Sequence, residues 1–172
     1  MPRRPVEEEL VDVETPEARA AWSPQPGRNG KPGPQELLVT CPITDIFYGG
    51  ARGGGKTDGL LGDFSIHAGQ YGEHAVGYLF RRTLDDFDEL ERRAKQIYYP
   101  LGWTYNHNDH VWTAPTLPGQ SAGATLTFRY LERPEDAERY LGFQMTWLGV
   151  DQAELFPEPH RRESGTADRF QS

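Results

Sequence analysis

The stretch Gly50-Ala51-Arg52-Gly53-Gly54-Gly55-Lys56-Thr57 fits the phosphate-binding pattern G-x-x-x-x-G-K-[ST] at every fixed position. Its glycines let the backbone turn tightly enough for successive N–H groups to face one anion. The flanks suit the motif. Thr44-Asp45-Ile46-Phe47-Tyr48 predicts a short strand before it, and Gly59-Leu60-Leu61 predicts a helix after it. The positive end of that helix's dipole would add to the same anion site. Gly50, Gly53, Gly54 and Gly55 would form the cradle, Lys56 would reach the β- and γ-phosphates, and the Thr57 hydroxyl would take a place on Mg²⁺. A flexible glycine turn that happens to end in Lys-Thr is the alternative, and it leaves both flanks unexplained. The stretch predicts a nucleoside triphosphate site.

A second landmark is Trp147-Leu148-Gly149-Val150-Asp151, an apolar run ending in aspartate. Such a carboxylate at the carboxyl end of a parallel strand lies at the crevice where open α/β sheets bind ligands. There Asp151 would hold the Mg²⁺ that bridges the phosphates. Runs of this kind also mark ordinary strand ends, so the weight comes from its pairing with the glycine-rich loop.

Composition limits the other readings. With 172 residues the chain has enough length for one core, and Cys41 is its one cysteine, so no internal disulfide forms. No run of eighteen apolar residues occurs, and the Met-Pro-Arg-Arg start lacks an apolar stretch, so neither a membrane span nor a secretion signal is expected. A net charge of −8 argues against wholesale electrostatic capture of nucleic acid. A local basic lining that includes Arg81, Arg82, Arg92 and Arg93 stays open.

Along the chain, residues 1–34 are rich in Pro, Glu and Arg and read as a disordered or arm-like tail. Residues 35–157 form the globular part, and residues 158–172 lose all periodicity. Val76 to Phe80 predicts a buried strand. Thr83 with Asp86 predicts a capping box opening a helix whose Leu84, Phe87, Leu90, Ala94 and Ile97 share one face. Asp85, Asp86, Asp88, Glu89 and Glu91 then read as its solvated, capped carboxylates. Strands are expected at Trp103 to Tyr105, Val111 to Thr113 and Ala124 to Tyr130, a short helix at Pro134 to Leu141, and a strand buried on both faces at Met145 to Val150. Trp103, Trp112, Trp147 and the several tyrosines read as core and hairpin packing, and Cys41 as a buried thiol.

The stretch from Pro32-Gly33-Pro34-Gln35 through Phe156-Pro157 resembles the ATPase domain of the large terminase subunit of tailed phages. The matching elements are Tyr48 to Thr57, Arg81-Arg82-Thr83, Arg139-Tyr140-Leu141-Gly142 and Trp147 to Asp151. The resemblance implies an α/β three-layer sandwich of the additional-strand P-loop NTPase type, with a mainly parallel central sheet and an antiparallel hairpin. It implies ATP and Mg²⁺ as ligands, a homo-oligomeric ring with no membrane contact, and a cytoplasmic setting in a bacterial host. Double-stranded DNA, a portal protein and a small terminase subunit would be the partners. Gln35 stands where such proteins often place an adenine-reading glutamine, with a solvated loop glutamine as the equal alternative. Arg52 would approach the γ-phosphate and stabilise charge in the transition state.

Two departures matter. The residue after the Mg²⁺-binding aspartate is normally Glu in this family, and here it is Gln152. An amide orients water but does not take its proton, so impaired hydrolysis with retained ATP binding is expected. Glu154, two residues on, is a weaker candidate base. The sequence also ends without the coupling motif and the nuclease domain that the family carries after this point. These departures favour an alternative in which the chain is a non-hydrolysing nucleotide-binding module or a prophage remnant. A helicase-like ATPase or a small kinase would need a sensor or lid segment that is not seen. His107-x-x-His110 suggests a metal pair only loosely, because Asn106-His107-Asn108-Asp109 is good turn chemistry.

Overall fold

A computed structural model describes residues 22–49, 55–83 and 87–156. Among them the fold is α/β, with four α-helices and a five-stranded mixed sheet. The strands are β1 (Val76–Arg81), β2 (Thr104–Asn106), β3 (Val111–Thr113), β4 (Thr125–Tyr130) and β5 (Trp147–Val150), in the order β2-β3-β4-β1-β5. β1 runs parallel to both β4 and β5, while β2-β3 and β3-β4 are antiparallel. The expected hairpin is therefore present, but the sheet is mixed rather than mainly parallel, because that hairpin extends it directly through β4.

The helices are α1 (Pro34–Thr40), α2 (Lys56–Tyr71), α3 (Phe87–Tyr98) and α4 (Pro134–Glu138). On α3 the residues Phe87, Leu90, Ala94 and Ile97 are all buried, so the expected face is the one that packs. Leu84, Asp85 and Asp86 lie outside the described residues, as do Gly50 to Gly54. Helix α2 lies close on β1: a methyl on Gly77 would meet the Phe64 ring at 2.4 Å, so only glycine allows this approach. Leu61, Phe64 and Ala68 of α2 then join Leu79, Leu126, Phe128 and the α3 face in the main core. Fully burying each large side chain of that set contributes about 1.5–3 kcal/mol.

Trp103, Trp112 and Tyr98 are buried in the core as expected, whereas Tyr71, Tyr99 and Tyr130 are exposed. Tyr98 stacks on Trp103 with centroids 4.5 Å apart, and its hydroxyl donates to the Leu61 carbonyl at 3.0 Å, tying α3 to α2. Burial pushes the Tyr98 phenol far above its ordinary range. On the other sheet face, Phe80 packs with Leu131, Phe156, Tyr140 and Val150.

Three expectations are corrected. Thr44 to Tyr48 is not a strand: a bend at Thr44 and Asp45 leads into irregular backbone, and Phe47 is 65% exposed. The segment shares a cleft with the outer edge of β5 yet does not pair with it, and its apolar residues alone do not make a strand. β5 is the sheet edge rather than a strand buried on both faces, and Leu148 is accordingly half exposed. Cys41 is half-buried at the carboxyl end of α1 rather than enclosed. In addition, Trp22, from the expected arm, packs flat against Gly62 of α2. No helix among the described residues is long and apolar enough to cross a membrane.

Candidate functional site

Parallel register builds the site. Phe80 stands opposite Val150, so the next residues, Arg81 and Asp151, emerge side by side at the carboxyl ends of β1 and β5. The Asp151 N–H continues the ladder by donating to the Phe80 carbonyl at 2.9 Å. The first turn of α2 lies over the same end of the sheet. There the Thr57 hydroxyl donates to Asp151 Oδ2 at 2.8 Å across 94 residues of sequence. The two residues that the sequence assigns to one Mg²⁺ are thus in contact.

Arg81 completes the group. Its Nε and Nη2 donate to Asp151 Oδ2 at 3.0 and 2.7 Å, and Nη2 lies 3.5 Å from the Thr57 hydroxyl. Both charged side chains are 3% exposed. Sequence reasoning left open a basic lining that includes Arg81, and the structure buries this residue in an ion pair instead. Arg93 is not available for such a lining either, because it forms a two-pronged pair with Asp58 at 2.6 Å on each prong. A strand-end arginine could have been matched to a strand-end aspartate only with the register known.

The amino end of α2 is set by Gly55, whose φ of +67° is left-handed. A methyl there would also meet Gln35 Nε2 at 2.5 Å. Gln35 is 1% exposed, and its Nε2 donates to the Gly55 carbonyl at 2.8 Å while its Oε1 accepts the Gln25 N–H at 2.7 Å. In this structure Gln35 therefore braces the start of α2 from within, rather than standing in solvent as a loop residue. Glu36 serves beside it: its carboxylate accepts from the N–H groups of Gly33 and Gly27, closing the entry to α1. Arg52, Gly50, Gly53 and Gly54 lie outside the described residues.

An open cleft of about 360 Å³ runs along β5, lined among others by Tyr48, Lys56, Gly149, Asp151, Gln152 and Glu154. Gln152 follows Asp151 in left-handed backbone at φ +58°, and its N–H donates to Asp151 Oδ1 at 3.0 Å. A non-glycine residue in this conformation is uncommon and carries a cost of order 1–3 kcal/mol. Its side-chain oxygen is buried with no hydrogen-bond partner in the structure. Glu154 is exposed on the same cleft.

Thr57 and Asp151 carry the kind of oxygen donors that Mg²⁺ takes, although Asp151 Oδ2 is here engaged by Arg81 and Thr57. This ion keeps several waters and takes one or two protein oxygens plus phosphates, rather than a cage of side chains. The Thr57 hydroxyl and the Asp151 carboxylate supply that number, and no larger cluster of metal-binding side chains occurs among the described residues.

The His107 and His110 imidazoles converge on one carboxylate. Their Nδ1 atoms lie 3.8 and 3.1 Å from the Glu91 carboxylate, which also accepts from the Tyr105 hydroxyl. Glu91 is thus tied into the packing of the β2-β3 hairpin on α3 and does not belong to the solvated face. Burial pushes its pKa up, but Tyr105, His110 and Lys95 together outweigh this and leave it lowered. A lowered carboxyl pKa stabilises the fold fully above the unfolded-state value, and that contribution disappears as pH falls through the folded-state value. Glu91→Gln should therefore lower the urea midpoint at neutral pH, with the difference shrinking below the ordinary value of 4.5. A difference that stays constant with pH would count against this account.

Comparison of the chain with models of protein families, with curated proteins and with solved structures finds no match.

Proposed function

We propose that the chain is a P-loop nucleotide-binding domain that takes Mg-ATP where α2 meets the carboxyl ends of β1 and β5. The observation that carries this reading is the Thr57–Asp151 contact, since nothing in the local sequence of either residue requires the other. Lys56, first in α2 and on the cleft wall, would reach the β- and γ-phosphates. Thr57 and Asp151 would hold the cation, which when bound neutralises charge on the phosphates. The glycine-rich loop with Arg52 would wrap the phosphates, and the fold would be a three-layer additional-strand sandwich.

In the same reading the domain is the ATPase part of a phage DNA-packaging motor. The support is the set of shared motifs: the loop from Tyr48 to Thr57, the Arg81-Arg82 pair, and the strand ending at Asp151. Double-stranded DNA, a portal and a small terminase subunit are the proposed partners. Hydrolysis would be slow, because Gln152 stands where a carboxylate would take the proton from water.

One observation favours a second reading, a nucleotide-binding module that does not hydrolyse: residue 152 on the cleft wall is an amide, which does not take a proton from water. Mg-ATP titration with and without double-stranded DNA separates the two. A motor domain should change its nucleotide affinity when DNA is added, because sites that work on one cycle are coupled. Unchanged affinity would favour the binding module.

A further inference from the structure

Arg81 touches both oxygen-bearing groups that the proposed function gives to the cation. Asp151 Oδ2 accepts from Arg81 Nε, Arg81 Nη2 and Thr57 Oγ1 at once, which fills the acceptor capacity of that oxygen. Oδ1 accepts the Gln152 N–H. The guanidinium thus sets a positive charge against both groups.

We infer that Arg81 is a gate on cation loading: its guanidinium holds the Thr57–Asp151 pair in place of a divalent cation and yields Oδ2 only when phosphate offers it another anion. The inference rests on the nucleotide reading and adds an order of binding to it. A cation arriving alone meets a fixed positive charge in direct contact with its ligands. Both side chains are 3% exposed, so solvent does little to draw the guanidinium off Asp151. A triphosphate supplies several anionic oxygens beside α2, and guanidinium pairs well with phosphate. Phosphate and cation would then load together, and Mg²⁺ alone would not. Arg81 is a positioning residue in this scheme.

The test uses Mg²⁺ with no nucleotide, read by thermal unfolding of the full chain. The parent should show no shift. Arg81→Gln should rise by about 4 °C or more once Mg²⁺ exceeds its dissociation constant roughly a hundredfold. Arg81→Gln combined with Asp151→Asn should not shift. An equal shift in the parent, or none in a folded Arg81→Gln, would overturn the gate.

A second measurement does not depend on a variant that lacks Arg81. Mn²⁺ binding to the parent, followed by electron paramagnetic resonance, should be weak alone and tighter by about tenfold or more with ATP present. Tight Mn²⁺ binding without nucleotide that disappears in Asp151→Asn would also overturn it. If the Mg²⁺ shift of Arg81→Gln appears but the parent binds no Mg-ATP, the gating contact stands and the nucleotide reading falls.

Discussion

Gln152→Glu should raise Mg-ATP turnover by two or more orders of magnitude over the parent chain at saturating nucleotide, since general-base assistance contributes about 10²–10⁴ in rate. Position 152 follows Asp151, lines the cleft, and holds a buried amide oxygen without a partner. A glutamate there keeps nearly the same shape and adds the basicity that the amide lacks. The backbone is already held by the N–H bond to Asp151 Oδ1, so the carboxylate would enter a preset position. If neither chain turns over ATP, residue 152 is not what limits hydrolysis, and the non-hydrolysing reading gains. Glu154, exposed on the same cleft, serves as the control: Glu154→Gln should leave turnover of the Gln152→Glu variant nearly unchanged.

The second large effect concerns stability. Arg81→Ala should cost about 3–5 kcal/mol, because it leaves the Asp151 carboxylate buried without its counter-charge. Both partners are 3% exposed, so solvent does little to screen the pair. Replacing both partners by neutral residues of similar shape should cost much less than the single change, since no uncompensated charge remains. Urea denaturation of Arg81→Ala, Asp151→Asn and the double variant measures the coupling directly. Strict additivity of the two single changes would show that the pair is not a unit.

How far the sequence reached depends on the range of each interaction. The face of α3 was legible because Phe87, Leu90, Ala94 and Ile97 repeat at helical spacing, and such spacing is local information. β1, β3 and β4 were legible for a similar reason, as short apolar or alternating runs between turn residues. Thr44 to Tyr48 misled because an apolar run becomes a strand only when it pairs with a neighbour, and this one does not pair with the open edge of β5. The edge position of β5 was hidden for the same cause: strand order is set by pairing across the chain.

Within the site, Lys56, Thr57 and Asp151 followed from motif chemistry, and the structure brings Thr57 and Asp151 into contact. The Arg81–Asp151 pair did not follow, because it depends on the register of two strands 70 residues apart. Gln35 was singled out as an adenine reader, whereas its bonds to Gly55 and Gln25 show a bracing function that spacing alone does not suggest. Glu91 was read as solvated from its helix position, and only the return of the β2-β3 hairpin gives it Tyr105 and His110 as neighbours.

The central claim is that the first turn of α2 and the end of β5 together hold Mg-ATP. Isothermal titration of Mg-ATP into the parent chain and into Lys56→Ala tests it most directly. The account predicts saturable binding by the parent, with one nucleotide per chain, and its loss in a Lys56→Ala variant that stays folded. Equal binding by both chains, or none by the parent, would contradict it.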